Sequence, residues 1–235
     1  SDDAAEIAEA REAAAIHARQ IDVKVENVIK AIRKAKPGRA QDRWGWRAEH
    51  LRATLTADVE PIRITITRFI KGLAPEALYD TLAGARLSGA MKPGRPGAIR
   101  PIGVCSTWRN FSSRVMATQH KDDVRDALVS PDGRVLQLAC GHSHGVHIAH
   151  MAANEHLRLH PTHVLFMHDA KDAFQNLRLL AAVRGVLRLA NGKGLLALVL
   201  AMYGRARNHV YFTADGDRRD VHAATGVTQG CVLGT

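Results

Sequence analysis

Candidate catalytic residues of this sequence lie in the stretch HVLFMHDAKDAFQNL, residues 163–177. Val164 to Met167 form a short apolar run that predicts a buried strand, and Asp169 follows at its end. A carboxylate at the end of a strand stands on a rigid support, where it can hold Mg²⁺ beside the phosphates of a substrate. Two-metal phosphoryl transfer needs more than one carboxylate, so Asp169 alone would not complete such a site. Asp169 could equally cap the helix that follows, although Asp172 is the better cap candidate.

Basic residues cluster in one long segment of the chain. Between Thr81 and Lys121 there are seven Lys and Arg residues and no Asp or Glu. They stand on both sides of a Pro/Gly turn at residues 93–97, which favours a hairpin laid against a phosphate backbone or a triphosphate over a merely solvated basic face. The residues predicted to contact phosphate are Arg86, Lys92, Arg95, Arg100, Arg109 and Arg114.

Composition supports a nucleic-acid partner. The 235 residues are 46% hydrophobic, enough for a real core, and carry a formal net charge of +10. The three cysteines form no C-x-x-C pair, so neither a disulfide framework nor a zinc ribbon is indicated, and a reducing, intracellular compartment is expected. No apolar run is long enough to span a bilayer, and no contact with membranes is expected.

A histidine-rich segment offers a competing metal site. Its candidate ligands are Cys140, His142, His144, His147 and His150, and the last two lie one helical turn apart. No paired cysteine motif or second cluster supports zinc, so we favour histidines that face solvent or RNA.

Apolar spacing predicts the elements that must position these residues. Helices are expected over residues 3–20, 22–36, 43–55, 59–73, 107–128, 145–159, 177–189 and 195–203. Hairpins are expected to turn at residues 93–97 and at Asp215–Gly216. The fold class is therefore α+β, rich in helix, with a small antiparallel sheet.

Several segments resemble motifs of one enzyme family, in order along the chain. HDAKDAFQNL resembles the palm motif of non-LTR retrotransposon reverse transcriptases, in which a metal-binding Asp precedes Ala-Phe by a fixed step. Residues 92–116, KPGRPGAIRPIGVCSTWRNFSSRVM, are similar to the fingers segment with its Arg-Pro-Ile core. QLACGHSHGVHIAHMAANEH resembles the helix segment that follows, and GVTQGCVLGT, residues 226–235, resembles the Gln-Gly motif. More loosely, residues 36–52, KPGRAQDRWGWRAEHLR, are similar to the motif G-x-D-G-x-x-x-E.

The resemblance covers about residue 30 to the end and implies a domain organisation. Residues 1–35 would form a helical extension, residues 36–160 fingers, and residues 161–235 a truncated palm. Asp169 would hold the catalytic Mg²⁺ ions, with the backbone carbonyl of Ala170 as a further ligand.

The same resemblance implies a nucleotide-binding site. Phe174 would lie beneath the incoming sugar and reject a 2′-hydroxyl by its bulk. Lys92 and Arg100 would contact the triphosphate or the template. Gln229 and Gly230 would shape the pocket for the new base pair, since glycine lets the backbone approach a base closely.

The implied function is that of the N-terminal portion of an RNA-directed DNA polymerase, a nucleotidyltransferase that binds an RNA template or RNA/DNA duplex and a deoxynucleoside triphosphate. Neither Tyr203 nor Tyr211 precedes two adjacent aspartates, so Mg²⁺ is expected only with a complete palm. Cys231 and Val232 also stand where the family commonly has an acidic residue and proline. The alternative is a catalytically inactive RNA-binding component of a ribonucleoprotein. Either function would place the protein in the nucleus or in an organelle.

Overall fold

Most helices follow the apolar spacing, but the helix at Glu76–Ala83 was not predicted, and the helix predicted over residues 107–128 is interrupted at His120. The computed structural model of the protein describes residues 2–92, 94, 96–135, 137–138, 144–168 and 173–234. Its helices are α1 (Asp2–Ala18), α2 (Val25–Arg33), α3 (Ala48–Ala53), α4 (Glu60–Ile70), α5 (Glu76–Ala83), α6 (Thr107–Gln119), α7 (Lys121–Ala127), α8 (Gly145–Leu159), α9 (Ala173–Asn176), α10 (Leu179–Leu187) and α11 (Lys193–Tyr203). Its strands are β1 (Ala85–Met91), β2 (Ile99–Cys105), β3 (Arg207–Phe212) and β4 (Arg218–Ala223). Short 3₁₀ turns cover Thr54–Thr56 and Val232–Gly234.

The N-terminal helix packs on the C-terminal half of the chain. Ala10 and Ala14 of α1 contact Val183, Leu196 and Leu200 on α10 and α11. Alanine side chains are small, so they let the helices approach closely. The predicted helix over residues 3–20 is confirmed, and it is an integral part of the packing.

Two hairpins build the sheet, as the turn residues predicted. Strands β1 and β2 are antiparallel, with Ala85 opposite Cys105 and Met91 opposite Ile99, and β3 and β4 form the second antiparallel pair. The hairpins meet at one parallel contact, Arg86 opposite Val210, which gives the strand order β2-β1-β3-β4.

The sheet is therefore mixed, and the prediction of an antiparallel sheet is wrong in this respect. Each central strand follows the C-terminus of a helix, β1 after α5 and β3 after α11, and these two helices pack against each other. Both strands consequently enter the sheet from the same side and run in the same direction.

The predicted buried strand at Val164–Met167 is also wrong. Residues 163–168 lie in no helix or strand, and Phe166 and Met167 are 92% and 89% exposed. A buried strand needs hydrogen-bonding neighbours, and none of the described strands pairs with this segment. Apolar composition alone could not reveal that a partner is missing.

The main core draws residues from all three predicted domains. It includes Val28 and Ile32 of α2, Ile66 of α4, and Leu198 and Met202 of α11. The mixed α/β architecture is established, whereas the fingers-and-palm assignment and the domain boundaries stay predictions. Across the described part of the chain, no helix combines the length and apolarity needed to cross a bilayer.

Candidate nucleic-acid interface

The Gln-Gly loop is held between two distant parts of the chain. The Val227 N–H donates to the carbonyl of Phe174 at 2.6 Å, and the Gly103 N–H on β2 donates to the carbonyl of Gln229 at 2.9 Å. The structure thus brings together Phe174, Gln229 and strand β2, which carries Arg100, although they are far apart in sequence.

Glycine at position 230 is required by the closeness of this contact. Gly230 has a φ of +103°, and a Cβ there would lie 2.6 Å from the carbonyl oxygen of Gly103. L-residues rarely adopt this φ, and the backbone leaves no room for a side chain. The close neighbour of Gly230 in the structure is the β2 backbone, and its approach to a base stays a prediction.

Two predicted phosphate contacts share a face of the first hairpin. Arg86 pairs with Val104 and Arg100 with Ala90, and in a strand every second residue points to the same side. Arg100 is exposed, whereas Arg86 is half-buried. The Nε atom of Arg86 has no hydrogen-bond partner among the described residues. Lys92 is half-buried at the turn, where its N–H donates to the carbonyl of Ala98.

A cleft of about 340 Å³ opens beside β2. Its apolar floor includes Leu51, Phe111 and Ile102, and Gly230 contributes backbone to it. The polar and basic lining residues are Lys36, Arg39, Thr107, Asn110 and Arg114. The volume falls within the usual range for small-molecule sites, which begins at roughly 300 Å³.

The charged side chains that line the cleft are all basic. None of its lining residues carries a carboxylate, and no described acidic group forms an ion pair with Arg39 or Arg114. Burial, and then the nearby charge of Arg39, lowers the pKa of Arg114. Two guanidinium groups that line one cleft without a counter-charge form a site that an anion would stabilise.

Arg109 does not belong to this interface, contrary to the prediction. Its side chain is 0% exposed and lies with its guanidinium carbon 4.9 Å from the centre of the Tyr203 ring. Its Nη1 donates to the carbonyl of Ala83 at 2.5 Å. Helical periodicity turns Arg109 toward the core and leaves Arg114, on the same helix, at the cleft.

Asp42 holds together two chain segments that border the cleft. The sequence analysis did not identify it as a functional residue. Its Oδ1 accepts hydrogen bonds from the N–H groups of Trp44 and Trp46, both at 2.9 Å, and its Oδ2 accepts one from Thr107 N–H at 2.8 Å. The carboxylate is buried and ties the segment after Arg39 to the first turn of α6. The signal was present, because an Asp three residues before a Gly is typical of a side-chain-stabilised turn.

Other predicted site residues lie outside the described residues. They are Asp169, Ala170 and Arg95, together with Cys140 and His142 of the competing zinc site and the cap candidate Asp172. The roles given to Asp169 and Ala170 stay predictions. Phe174 follows these residues in the sequence and is described by the structure. It is half-buried on the short helix α9.

An unanticipated histidine group lies at the end of α8. The ring centroids of His156, His160 and His163 are 4.7 to 5.1 Å apart, and His156 Nε2 lies 3.0 Å from His163 Nδ1. The rings of His160 and His163 are stacked, with 16° between their planes, so their nitrogens do not converge on one point. In the described ranges, no group of three or more His, Cys, Asp or Glu residues could hold a metal ion.

No protein-family model matches the sequence, and no curated protein matches it at a significant level. The geometry of the cleft and loop therefore carries the functional argument, together with the ordered motifs.

Proposed function

We propose that this chain is the N-terminal portion of an RNA-directed DNA polymerase of the non-LTR type, which binds an RNA template and a deoxynucleoside triphosphate. The observation that carries the proposal is the shared cleft. Residues from the segment with Lys36 and Arg39, from the Arg-Pro-Ile strand, from α6 and from the Gln-Gly loop line it together. Motifs that resemble parts of one polymerase site would be expected to meet in this way.

The chemistry of the cleft suits a nucleotide unit of a nucleic acid. Guanidinium groups bind phosphate oxygens through paired N–H donors, while an apolar floor accepts the faces of a base or sugar. Arg100, two residues before Ile102 on the same face of β2, would extend the basic surface beyond the cleft. RNA or an RNA/DNA duplex is thus the partner that the charge and shape favour.

Other residues of the predicted site would bind magnesium and the triphosphate. Asp169 and the carbonyl of Ala170 would hold Mg²⁺, which would neutralise the phosphates and activate the attacking hydroxyl once further carboxylates complete the site. Lys92 and Arg100 would bind the triphosphate, and Phe174 would exclude a sugar that carries a 2′-hydroxyl. Such a protein would act in the nucleus or an organelle, within a larger ribonucleoprotein.

Two substitutions test the nucleotide site by equilibrium binding. We expect a longer form of the protein that supplies the further carboxylates, loaded with an RNA template and DNA primer, to bind the matching deoxynucleoside triphosphate in Mg²⁺ more tightly than the ribonucleotide. Asp169→Asn should weaken Mg²⁺-dependent binding about tenfold or more and leave RNA affinity unchanged, because Asn keeps the size but loses the charge. A residue that only caps a helix would tolerate Asn, itself a good cap.

The second substitution addresses sugar selection. Phe174→Ala should reduce the preference for the deoxynucleotide, because it opens the space where a 2′-hydroxyl would lie. Folding is checked by circular dichroism. Truncation of a fully buried Phe costs roughly 3 to 5 kcal/mol, and the half-buried Phe174 should cost less. Unchanged selectivity in a folded variant would contradict the role given to Phe174.

A second candidate function is an RNA-binding structural component without chemistry, which the carboxylate-free basic lining of the cleft would serve equally well. The same experiment separates the two candidates. Tight RNA binding without any Mg²⁺-dependent triphosphate binding would support the structural component, and triphosphate binding that Asp169→Asn abolishes would support the polymerase.

A further inference from the structure

Two arginines are buried in the core around one tyrosine ring. The guanidinium carbons of Arg109 on α6 and Arg207 on β3 lie 4.9 and 5.3 Å from the centre of the Tyr203 ring. Both arginine side chains are almost completely buried. Arginine stays protonated in proteins, so this part of the core holds two positive charges.

Neither charge is balanced by a carboxylate. No described Asp or Glu forms an ion pair with Arg109 or Arg207. Arg207 Nη2 donates to the carbonyls of Thr225 and Gly226 at 2.5 and 2.9 Å. Arg109 Nε and Nη2, and Arg207 Nε and Nη1, have no hydrogen-bond partner among the described residues. Burying unpaired charge costs several kcal/mol per ion, so an anion is needed nearby.

Two thiols lie where that anion is required. Cys105 ends β2 and Cys231 follows the Gln-Gly loop, and the two side chains are 2% and 0% exposed. The contact between Gly103 and Gln229 brings the two chain segments together, and both cysteines belong to the same core cluster. Thiols are the most acidic groups among the described side chains of this cluster, since a phenol ionises at a higher pH.

The electrostatics assign the negative charge to one sulfur. The hydrogen bond from Cys105 holds the pKa of Cys231 well below its usual range; burial opposes this effect and the charge of Arg109 reinforces it. The same hydrogen bond, and then burial, raises the pKa of Cys105. Burial raises the pKa of Tyr203 as well, so the phenol stays neutral.

We propose that Cys105 and Cys231 form a redox site in which the buried Cys231 thiolate balances the charge of Arg109 and Arg207, and in which a disulfide-forming oxidant links the two sulfurs. The inference does not depend on the proposed function. The thiolate is the nucleophile in disulfide chemistry, and the neighbouring thiol is in place to resolve the first adduct.

The step balances with an azo oxidant such as diamide. The Cys231 thiolate attacks one azo nitrogen and forms an S–N bond. Cys105 then loses its proton and attacks the Cys231 sulfur, which forms the S–S bond as the S–N bond breaks. The two sulfurs lose two electrons, and the azo group becomes a hydrazine by taking these electrons, one proton from Cys105 and one from water.

Oxidation of the folded protein tests the pairing. In a Cys140→Ser background, which leaves only these two thiols, diamide should give a product lighter by two hydrogen atoms, in which the peptides with Cys105 and Cys231 are linked. A further Cys105→Ser or Cys231→Ser substitution should prevent the loss of these two hydrogen atoms. Two free thiols in the treated folded protein, when the unfolded chain oxidises readily, would overturn the pairing.

Ultraviolet absorbance tests the charge on Cys231. In the same background, thiolate absorbance should develop with a midpoint well below the ordinary thiol pKa of about 8.5. A midpoint at or above that value would overturn the assignment of the Cys231 thiolate as the counter-ion of the two arginines. This measurement needs no change at Cys231, so it stands even if Cys231→Ser fails to fold.

Stability provides a second readout of the same charge. A thiolate whose pKa is lowered on folding contributes stability that is present above the unfolded pKa and is lost as pH falls toward the folded pKa. The groups that face Cys231 are Cys105, Arg109, Tyr203 and Arg207. From pH 7 to 8.5, Tm should rise more in the protein with Cys231 than in Cys231→Ser. Cys231→Asp, which keeps a negative charge, should melt above Cys231→Ser at pH 7, and equal melting would count against the counter-ion.

Discussion

At the scale of single residues, Arg109 and Arg114 show how surroundings decide what a charge does. Both belong to α6, but Arg109 lies in the core against Tyr203, whereas Arg114 lines the cleft together with Arg39. The first needs a counter-ion within the protein, and the second is open to a ligand from outside. Asp42 supports the difference, because its carboxylate fixes the start of α6.

His209 gives a residue-scale prediction for acid stability. Its Nδ1 accepts a hydrogen bond from the N–H of Ala85 at 3.0 Å, so the ring must be neutral at this nitrogen. Burial, followed by the charges of Arg207 and Arg109, lowers the pKa of His209 to about 4, against an unfolded value near 6.5. Stability should therefore be full above pH 6.5 and fall as pH drops toward 4, by at most about 1.4 kcal/mol per pH unit.

The measurement is urea unfolding at a series of pH values. His209→Gln, which keeps an amide able to accept the Ala85 hydrogen bond but cannot titrate, should show a shallower loss of stability over this range. The exposed His222→Gln serves as the matched control on the neighbouring strand. The account of His209 fails if His209→Gln and His222→Gln have the same pH dependence.

At the scale of elements, the Gln-Gly loop and β2 depend on each other. A Cβ at Gly103 would lie 2.3 Å from Cγ2 of Thr228, so the strand needs glycine where the loop crosses it. Gly103→Ala should destabilise the fold by about 1 to 3 kcal/mol through overpacking. Thr228→Ser removes the clashing methyl group, so the double variant should recover most of that loss in thermal unfolding.

One result of the double-mutant comparison would contradict the described packing of the loop on β2. Thr228→Ser alone should change stability little, so a double variant as unstable as Gly103→Ala would show that the loop does not lie on β2 as described. RNA affinity of the double variant should match that of the unchanged protein, since the cleft would be restored.

The elements also show which features a sequence can reveal. Helices such as α8, predicted over residues 145–159 and found at Gly145–Leu159, follow from a local 3.6-residue period. Both hairpins follow from local turn residues. The prediction of a strand at Val164–Met167 was wrong because a strand depends on a distant partner. The mixed sheet was not predicted because the packing of α5 on α11 sets the direction of β1 and β3.

At the scale of the whole molecule, the candidate site is assembled from distant segments. The cleft takes residues from 31–51, 102–114 and 230, contacts that no local pattern contains. The sequence could identify the basic segment, and the ordered resemblance could associate it with the Gln-Gly motif. The sequence alone could not separate Arg109 from Arg114 without the orientation of α6, and no local pattern indicated that Arg39 and Arg114 would line the same cleft.

The salt dependence of RNA binding tests the central claim most directly. The variant Arg39→Gln/Arg100→Gln/Arg114→Gln removes three charges from the cleft and the hairpin face. The matched control Arg125→Gln/Arg158→Gln/Arg184→Gln removes three charges from exposed ion pairs elsewhere. Affinity for a single-stranded RNA is measured by fluorescence anisotropy over a range of salt concentrations, with folding checked for each protein.

Each phosphate contact contributes roughly 0.7 to the slope of log affinity against log salt for a single strand. The cleft variant should therefore lose about 2 units of slope and bind more weakly, whereas the control should keep nearly the full slope. Equal slopes in the cleft variant and the unchanged protein, or an equal loss in the control, would contradict an RNA interface at this cleft.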